Sequence, residues 1–154
     1  MLEKSKITEL YETFGQDVYR MALSYLHSRE DAEDVCHNVF LKLLEKDVTL
    51  FPGKEKAWLL TCTANACKNH MNSFWKKHTQ ELDEKLVFSG EEDKDLWEAL
   101  TALNPRDRAL LHLYYYEGYA QEEIAGILCI SRSSVQTRMQ RARQKLEKEL
   151  NAYE

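Results

Sequence analysis

From residue 131 to residue 146 the chain carries Arg132, Arg138, Arg141, Arg143 and Lys145 and not one acidic side chain. Val135, Met139, Ala142 and Leu146 recur through the same stretch at steps of three and four, which defines a helix with one buried stripe and a basic remainder. Upstream, Ile124, Ala125 and Leu128 mark the inward face of a short helix over residues 121–128. Cys129, Ile130 and Ser131 then make a tight turn, and Ser131 is well placed to cap the basic helix. A short helix, a brief turn and a longer helix with a polar start form the helix-turn-helix plan, which lays its second helix in a DNA major groove.

The chemistry at the start of that helix suits the plan. Arg132, Ser133, Ser134, Gln136, Thr137, Arg138, Gln140 and Arg141 lie off the core stripe. Arginine can bond guanine through two N–H groups, glutamine can bond adenine, and hydroxyls can take bases or phosphates. Arg143 and Lys145, further along, suit phosphate or solvent. An arginine-rich face on an ordinary terminal helix is the competing reading, and the acid-free run together with the short partner helix stands against it.

A net charge of −5 argues naively against nucleic acid, but its distribution does not. Residues 1–78 hold 11 acids and 11 bases, residues 79–98 hold 8 acids and 2 bases, and residues 99–154 hold 7 acids and 8 bases. The mean therefore hides an acidic connector and a basic helix. Only five Gly and two Pro interrupt the 154 residues, so an all-α fold of two small helical domains is expected. The domains fall at 1–78 and 96–154, joined by a flexible acidic linker at 79–95.

In the first domain, Ile7, Leu10, Tyr11, Phe14, Val18, Met21, Ala22 and Tyr25 predict an amphipathic helix ending near His27. Ser28 caps a second helix, whose inward face is Ala32, Val35, Cys36, Val39, Phe40 and Leu43. Residues 47–54, with Pro52-Gly53, read as a loop, and a third helix runs from about Glu55 to Lys77. In the second domain Leu96, Leu100 and Leu103 open a helix, Asn104-Pro105 starts the next, and Glu117-Gly118 ends it.

The four cysteines include no Cys-x-x-Cys pair and read as reduced thiols packed as small hydrophobes, Cys129 included. Cys36, His37, Cys62, Cys67 and His70 are too irregularly spaced for a familiar zinc site, so no metal and no cofactor is expected. No phosphate-binding glycine loop, metalloprotease motif or nucleophile–base pairing appears, which argues against an enzyme. The start lacks an apolar leader and no apolar run is long enough to span a bilayer, so a cytoplasmic protein without membrane insertion is expected.

Read in order, the segments resemble bacterial sigma factors of the extracytoplasmic-function (ECF) group within the sigma-70 family. The likeness is carried in the first half by Leu10-Tyr11, by Arg29-Glu30-Asp31-Ala32-Glu33-Asp34-Val35, by Val39-Phe40-Leu41-Lys42-Leu43, and by Ala57-Trp58-Leu59 with Ala64-Asn65. In the second half it is carried by Leu103-x-Pro105-Arg106, Glu117-Gly118, Glu122-Glu123-Ile124-Ala125 and Val135-x-x-Arg138-x-x-Arg141-Ala142-Arg143. The resemblance implies region 2 at 1–78 and region 4 at 96–154.

It also implies partners: RNA polymerase core through the clamp helices and flap, promoter DNA, and an anti-sigma factor. Asp31, Asp34, His37, Asn38 and Leu41 would face the clamp helices, although Leu41 and Leu44 could instead widen the core stripe. Lys54, Lys56, Asn65, Lys68, Asn69, His70, Lys76 and Lys77 would hold the opened minus-ten element, with Phe74 or Trp75 stacking on bases. Trp58 reads as core. Arg132, Ser133, Ser134, Gln136, Thr137, Arg138 and Arg141 would read the minus-thirty-five element. The chain departs from the family at His37-Asn38 (usually Gln-Glu), at Thr61 and Ala64 (often Arg), and at Asn69 (often Asp). Two further departures are Ala120, where a Ser or Thr cap is usual, and Cys129, where Gly is common. Two other readings remain: an autonomous helix-turn-helix regulator, and a protein that occupies polymerase without reading promoters.

Overall fold

A computed structural model describes residues 3–45, 48–77 and 91–151, with side chains described for 3–45, 48–72 and 96–151. The chain divides into two compact units, the first within 1–83 and the second within 84–154. Every regular element among the described residues is helical: seven α-helices and one π turn.

In the first unit α1 (Lys4–Leu26) packs on both α2 (Arg29–Glu45) and α3 (Glu55–Lys77), which also touch each other. The periodicity read from the sequence explains this. Leu10, Val18, Met21, Ala22 and Tyr25 of α1 are buried against Val35, Val39 and Leu43 of α2 and Leu59, Leu60 and Ala64 of α3. The whole inward set expected of α2 is buried. Tyr11 and Phe40 meet edge to face at 5.1 Å, and the Cys36 thiol approaches the Gly15 carbonyl at 3.6 Å.

The α1–α2 corner is sharp because His27 takes the left-handed conformation, φ 49°, and donates its N–H to the Leu23 carbonyl. Ser28 follows as cap, its Oγ accepting from the Asp31 N–H at 3.3 Å. Before α3, Gly53 adopts φ +81° and the Lys54 N–H donates to the Phe51 carbonyl at 3.0 Å, closing a turn that throws Phe51 into solvent.

The second unit contains α4 (Glu91–Thr101), α5 (Pro105–Leu111), a π turn (His112–Tyr116), α6 (Gln121–Leu128) and α7 (Arg132–Asn151). Helix α7 packs on α4, α5 and α6. Its Val135, Met139 and Ala142 are buried with Leu110, Leu113 and Ile124. Asn104 caps α5, its Oδ1 accepting from the Arg106 N–H at 2.9 Å, with Pro105 supplying the first turn. Arg108 is buried and donates from Nη1 to the Leu103 carbonyl at 2.8 Å, closing the end of the α4 segment. Burial lowers its pKa to about 10, so it stays cationic at neutral pH.

Several details differ from the sequence pattern, beginning with Tyr11, which lies at the edge of the α1 stripe and is 46% exposed. Helix α4 begins at Glu91, within the stretch expected to be linker; the remainder of that stretch lies outside the described residues. Helix α5 widens into a π turn before Gly118, with the Glu117 N–H donating to the His112 carbonyl at 3.0 Å. Ile127 is buried and Ala125 only half-buried, because α6 is set between the π turn and α7 and faces both; Leu146, towards the end of α7, is also half-buried. Cys129 is exposed, not packed, because it occupies the left-handed turn residue, which points away from the core. No helix among the described residues is long and apolar enough to cross a membrane.

Candidate nucleic-acid interface

The start of α7 is fixed from both sides. Upstream, Cys129 at φ 57° and ψ 43° ends α6, and the Ile130 N–H donates to the Ala125 carbonyl at 3.0 Å. Downstream, the Ser131 Oγ accepts from the Ser134 N–H at 3.1 Å and lies 2.9 Å from the Ser134 Oγ. Helix α6 lacks a capping side chain at Ala120. Half of a capping box survives, since the Glu123 carboxylate accepts from the Ala120 N–H at 3.0 Å.

On this frame Arg132, Ser133, Gln136, Thr137 and Arg141 are exposed, while Ser134 and Arg138 are half-buried. Ser134 is drawn into the cap network, and the Thr137 hydroxyl donates back to the Ser133 carbonyl at 3.0 Å, leaving its oxygen to accept. The basic face is not wholly free of acid. Asp107 of α5 interacts with Arg141, Arg138 and Lys145, a relation no linear pattern displays. Its pKa is nevertheless raised, because partial burial outweighs the three cations that pull it down. Arg143 stacks its guanidinium over Tyr114 and Tyr115, at 5.2 and 5.5 Å from the ring centres.

In the first unit Asp34, His37, Asn38 and Leu41 share the outer side of α2. Leu41 is 52% exposed and Leu44 38%, so neither extends the core stripe. Asp31 is half-buried, with its Oδ1 3.2 Å from Nε2 of His70 on α3. A groove of about 390 Å³ runs between α2 and α3, lined among others by Val35, Asn38, Leu41, Lys42, Asn69 and His70. It brings Asn38 and Leu41 beside Asn69 and His70, which the sequence assigned to different tasks.

The expected lysine track is uneven. Lys54 is exposed, Lys68 is half-buried, and Lys56 reaches Asp17 of α1 at 3.8 Å. Asn65 and Asn69 are exposed. The side chains of Phe74, Trp75, Lys76 and Lys77 lie outside the described residues. Trp58 is half-buried. One candidate escaped the sequence reading: Phe51, 68% exposed at the turn before Lys54. Its signal was a large aromatic immediately before Pro52-Gly53, in a stretch that breaks the helical pattern. The described residues hold no group of three or more His, Cys, Asp or Glu able to bind a metal. Burial pushes the Cys36 and Cys67 thiols up, which makes both poor nucleophiles.

Two family models match this chain: Sigma-70 region 2 over residues 10–77 and Sigma-70 region 4 over residues 93–146. The ECF RNA polymerase sigma factor SigX of Bacillus subtilis is 26% identical, over 92% of this chain and 81% of SigX. RNA polymerase sigma factor SigV of the same organism is 31% identical, over 82% of this chain and 80% of SigV. Among solved structures, the sigma factor RpoE from Bartonella quintana, crystallised with the anti-sigma factor NepR, has the same fold. Its TM-score is 0.78 at 21% identity, covering 95% of this chain and 97% of that one. Matches to both units in the expected order set aside an autonomous regulator. This chain belongs to the sigma-70 family, in its ECF group, and is an RNA polymerase sigma factor.

Proposed function

We propose that the two units divide promoter recognition between them, with region 2 at 1–78, a tether shortened by the start of α4 to 79–90, and region 4 at 91–154. The observation that carries this reading is the exposed basic start of α7, capped by Ser131 and presenting Arg132, Gln136, Thr137 and Arg141. Arg138 and Arg141 read base edges of the minus-thirty-five element, Gln136 adds a base contact, Arg132 and Ser133 hold phosphates, and Thr137, whose hydroxyl proton goes to the Ser133 carbonyl, accepts from a base amino group. Ser134 shapes the cap more than it reads DNA.

In region 2, Asp34, His37, Asn38 and Leu41 dock on the polymerase clamp helices, with Leu41 as the apolar anchor and Asp31 held in place by His70. The flap receives region 4. Lys54, Lys68, Asn65 and Asn69 track the opened minus-ten strand, with Lys76 and Lys77 continuing the basic charge and Phe51 offering a stacking face. Lys56 acts mainly through its link to Asp17. The chain selects the start site, and polymerase performs the chemistry. An anti-sigma factor, as in the RpoE–NepR complex, would cover these surfaces in the cytoplasm until release.

The test is reconstitution. Core polymerase with the full chain on fragmented genomic DNA is expected to give run-off transcripts from a defined subset of fragments. Stable DNA binding without core, and no transcripts with it, would overturn the reading.

A further inference from the structure

The basic residues of α7 do not share one fate, and Arg143 is the exception. It lies eleven residues past the first residue of α7, which at 1.5 Å per residue is about 16 Å along the axis. It also lies two residues past the base reader Arg141, which turns it about 200° round the helix from the face that Arg141 presents to the groove. Its guanidinium is also already engaged, within 6 Å of two ring centres at once. Those rings belong to consecutive residues, Tyr114 and Tyr115, whose centroids are 5.0 Å apart with planes at 83°.

Neighbouring side chains on an α-helix splay too far apart to grip one group. Tyr114 and Tyr115 sit in a π turn instead, and π turns are frequent at functional sites. The same turn stacks His112 on Tyr116 at 5.0 Å and leads through Gly118 directly into α6. A tie from α7 to this turn therefore fixes both helices of the DNA-reading motif to one point.

Resting on the promoter-reading role above, we propose that Arg143 is a positioning residue. It sets the angle of α7 through Tyr114 and Tyr115, and it does not bind phosphate. The cation–π contact is of a size to change selectivity about three- to fivefold.

The experiment uses holoenzyme assembled from core polymerase and the full chain, with DNA duplexes enriched by that holoenzyme from a randomised library. For each variant, affinity for the enriched and for scrambled duplex is measured across salt concentrations, together with the thermal midpoint. Arg143→Ala is expected to lower the enriched-to-scrambled ratio about three- to fivefold with an unchanged salt slope. Tyr114→Ala with Tyr115→Ala should lower it equally, with no further loss when all three are combined. Tyr114→Phe with Tyr115→Phe, which keeps the rings, should retain the full ratio.

Arg143→Ala lowering the salt slope by about 0.9 with the ratio intact would make Arg143 a phosphate contact and overturn the proposal. Losses that multiply in the triple variant, or a lowered midpoint with an unchanged ratio, would overturn it equally. If the unaltered holoenzyme enriches no sequence, the promoter-reading role fails, and this inference with it.

Discussion

Replacing Cys129 with glycine should stabilise the second unit. Cys129 sits at φ 57° in the turn between α6 and α7, where an L-residue costs about 1–2 kcal/mol relative to its right-handed conformation. Glycine removes that strain but brings about 0.5–1 kcal/mol of extra chain entropy to the unfolded state. Little packing is lost, because Cys129 is exposed and its thiol makes only a long contact, 3.7 Å, to the Gly126 carbonyl. The net gain is about 0.5–1 kcal/mol, which for a unit of this size raises the thermal midpoint by on the order of 3–6 °C. The assay is thermal unfolding of the full chain followed by circular dichroism, with Cys129→Ala as a control that keeps the strain and should shift little.

His27 supplies the opposite case. It is also left-handed, φ 49°, but it is 5% exposed, so His27→Gly removes a packed ring and should lower the midpoint of the first unit. A Cys129→Gly midpoint equal to or below that of the unaltered chain would refute the strain argument.

Ser131→Ala removes the acceptor for the Ser134 N–H and should cost about 1 kcal/mol by urea unfolding, together with weaker DNA binding as the start of α7 frays. In native protein a maleimide should label Cys129 quickly, while Cys36 and Cys67, buried with raised pKa, should react only after unfolding. Asp107 has a folded pKa above its ordinary 3.8, so its contribution to stability is unfavourable once it ionises. Asp107→Asn should therefore gain stability over the unaltered chain as pH rises through and above that raised value, and show no advantage below the ordinary value; urea midpoints across pH report it.

The sequence carried the fold far because the signals were local and mutually consistent. Caps at Ser28, Asn104 and Ser131 and breaks at Pro52-Gly53 and Gly118 punctuate stripes of one period, and α3, α6 and the core of α2 lie where these signals put them. What escaped depends on three-dimensional neighbours. The π turn is an internal widening of a segment that reads as ordinary helix. Cys129 reads as a small hydrophobe until the backbone turns it outward.

The site behaves the same way. That Arg132, Gln136, Thr137 and Arg141 are exposed follows from helical spacing alone. That Arg143 belongs to a tyrosine pair, Lys56 to Asp17, Asp31 to His70, and Asp107 to the basic face does not, because each partner lies on another helix. Charge counted along the chain finds a basic helix; only packing shows which of its charges are already engaged.

The central claim is that the clamp-docking face of α2 and the minus-thirty-five reading face of α7 are separate surfaces with separate tasks, and paired variants test it most directly. Leu41→Asp, at an exposed anchor, and Arg138→Ala, on the reading helix, would be measured side by side for affinity to core polymerase and for selectivity among promoter duplexes in saturated holoenzyme. Leu41→Asp is expected to weaken core binding at least tenfold and leave selectivity unchanged. Arg138→Ala should leave core binding unchanged and reduce selectivity at one base pair by about 1–3 kcal/mol. Loss of both properties in either variant would contradict the division of labour.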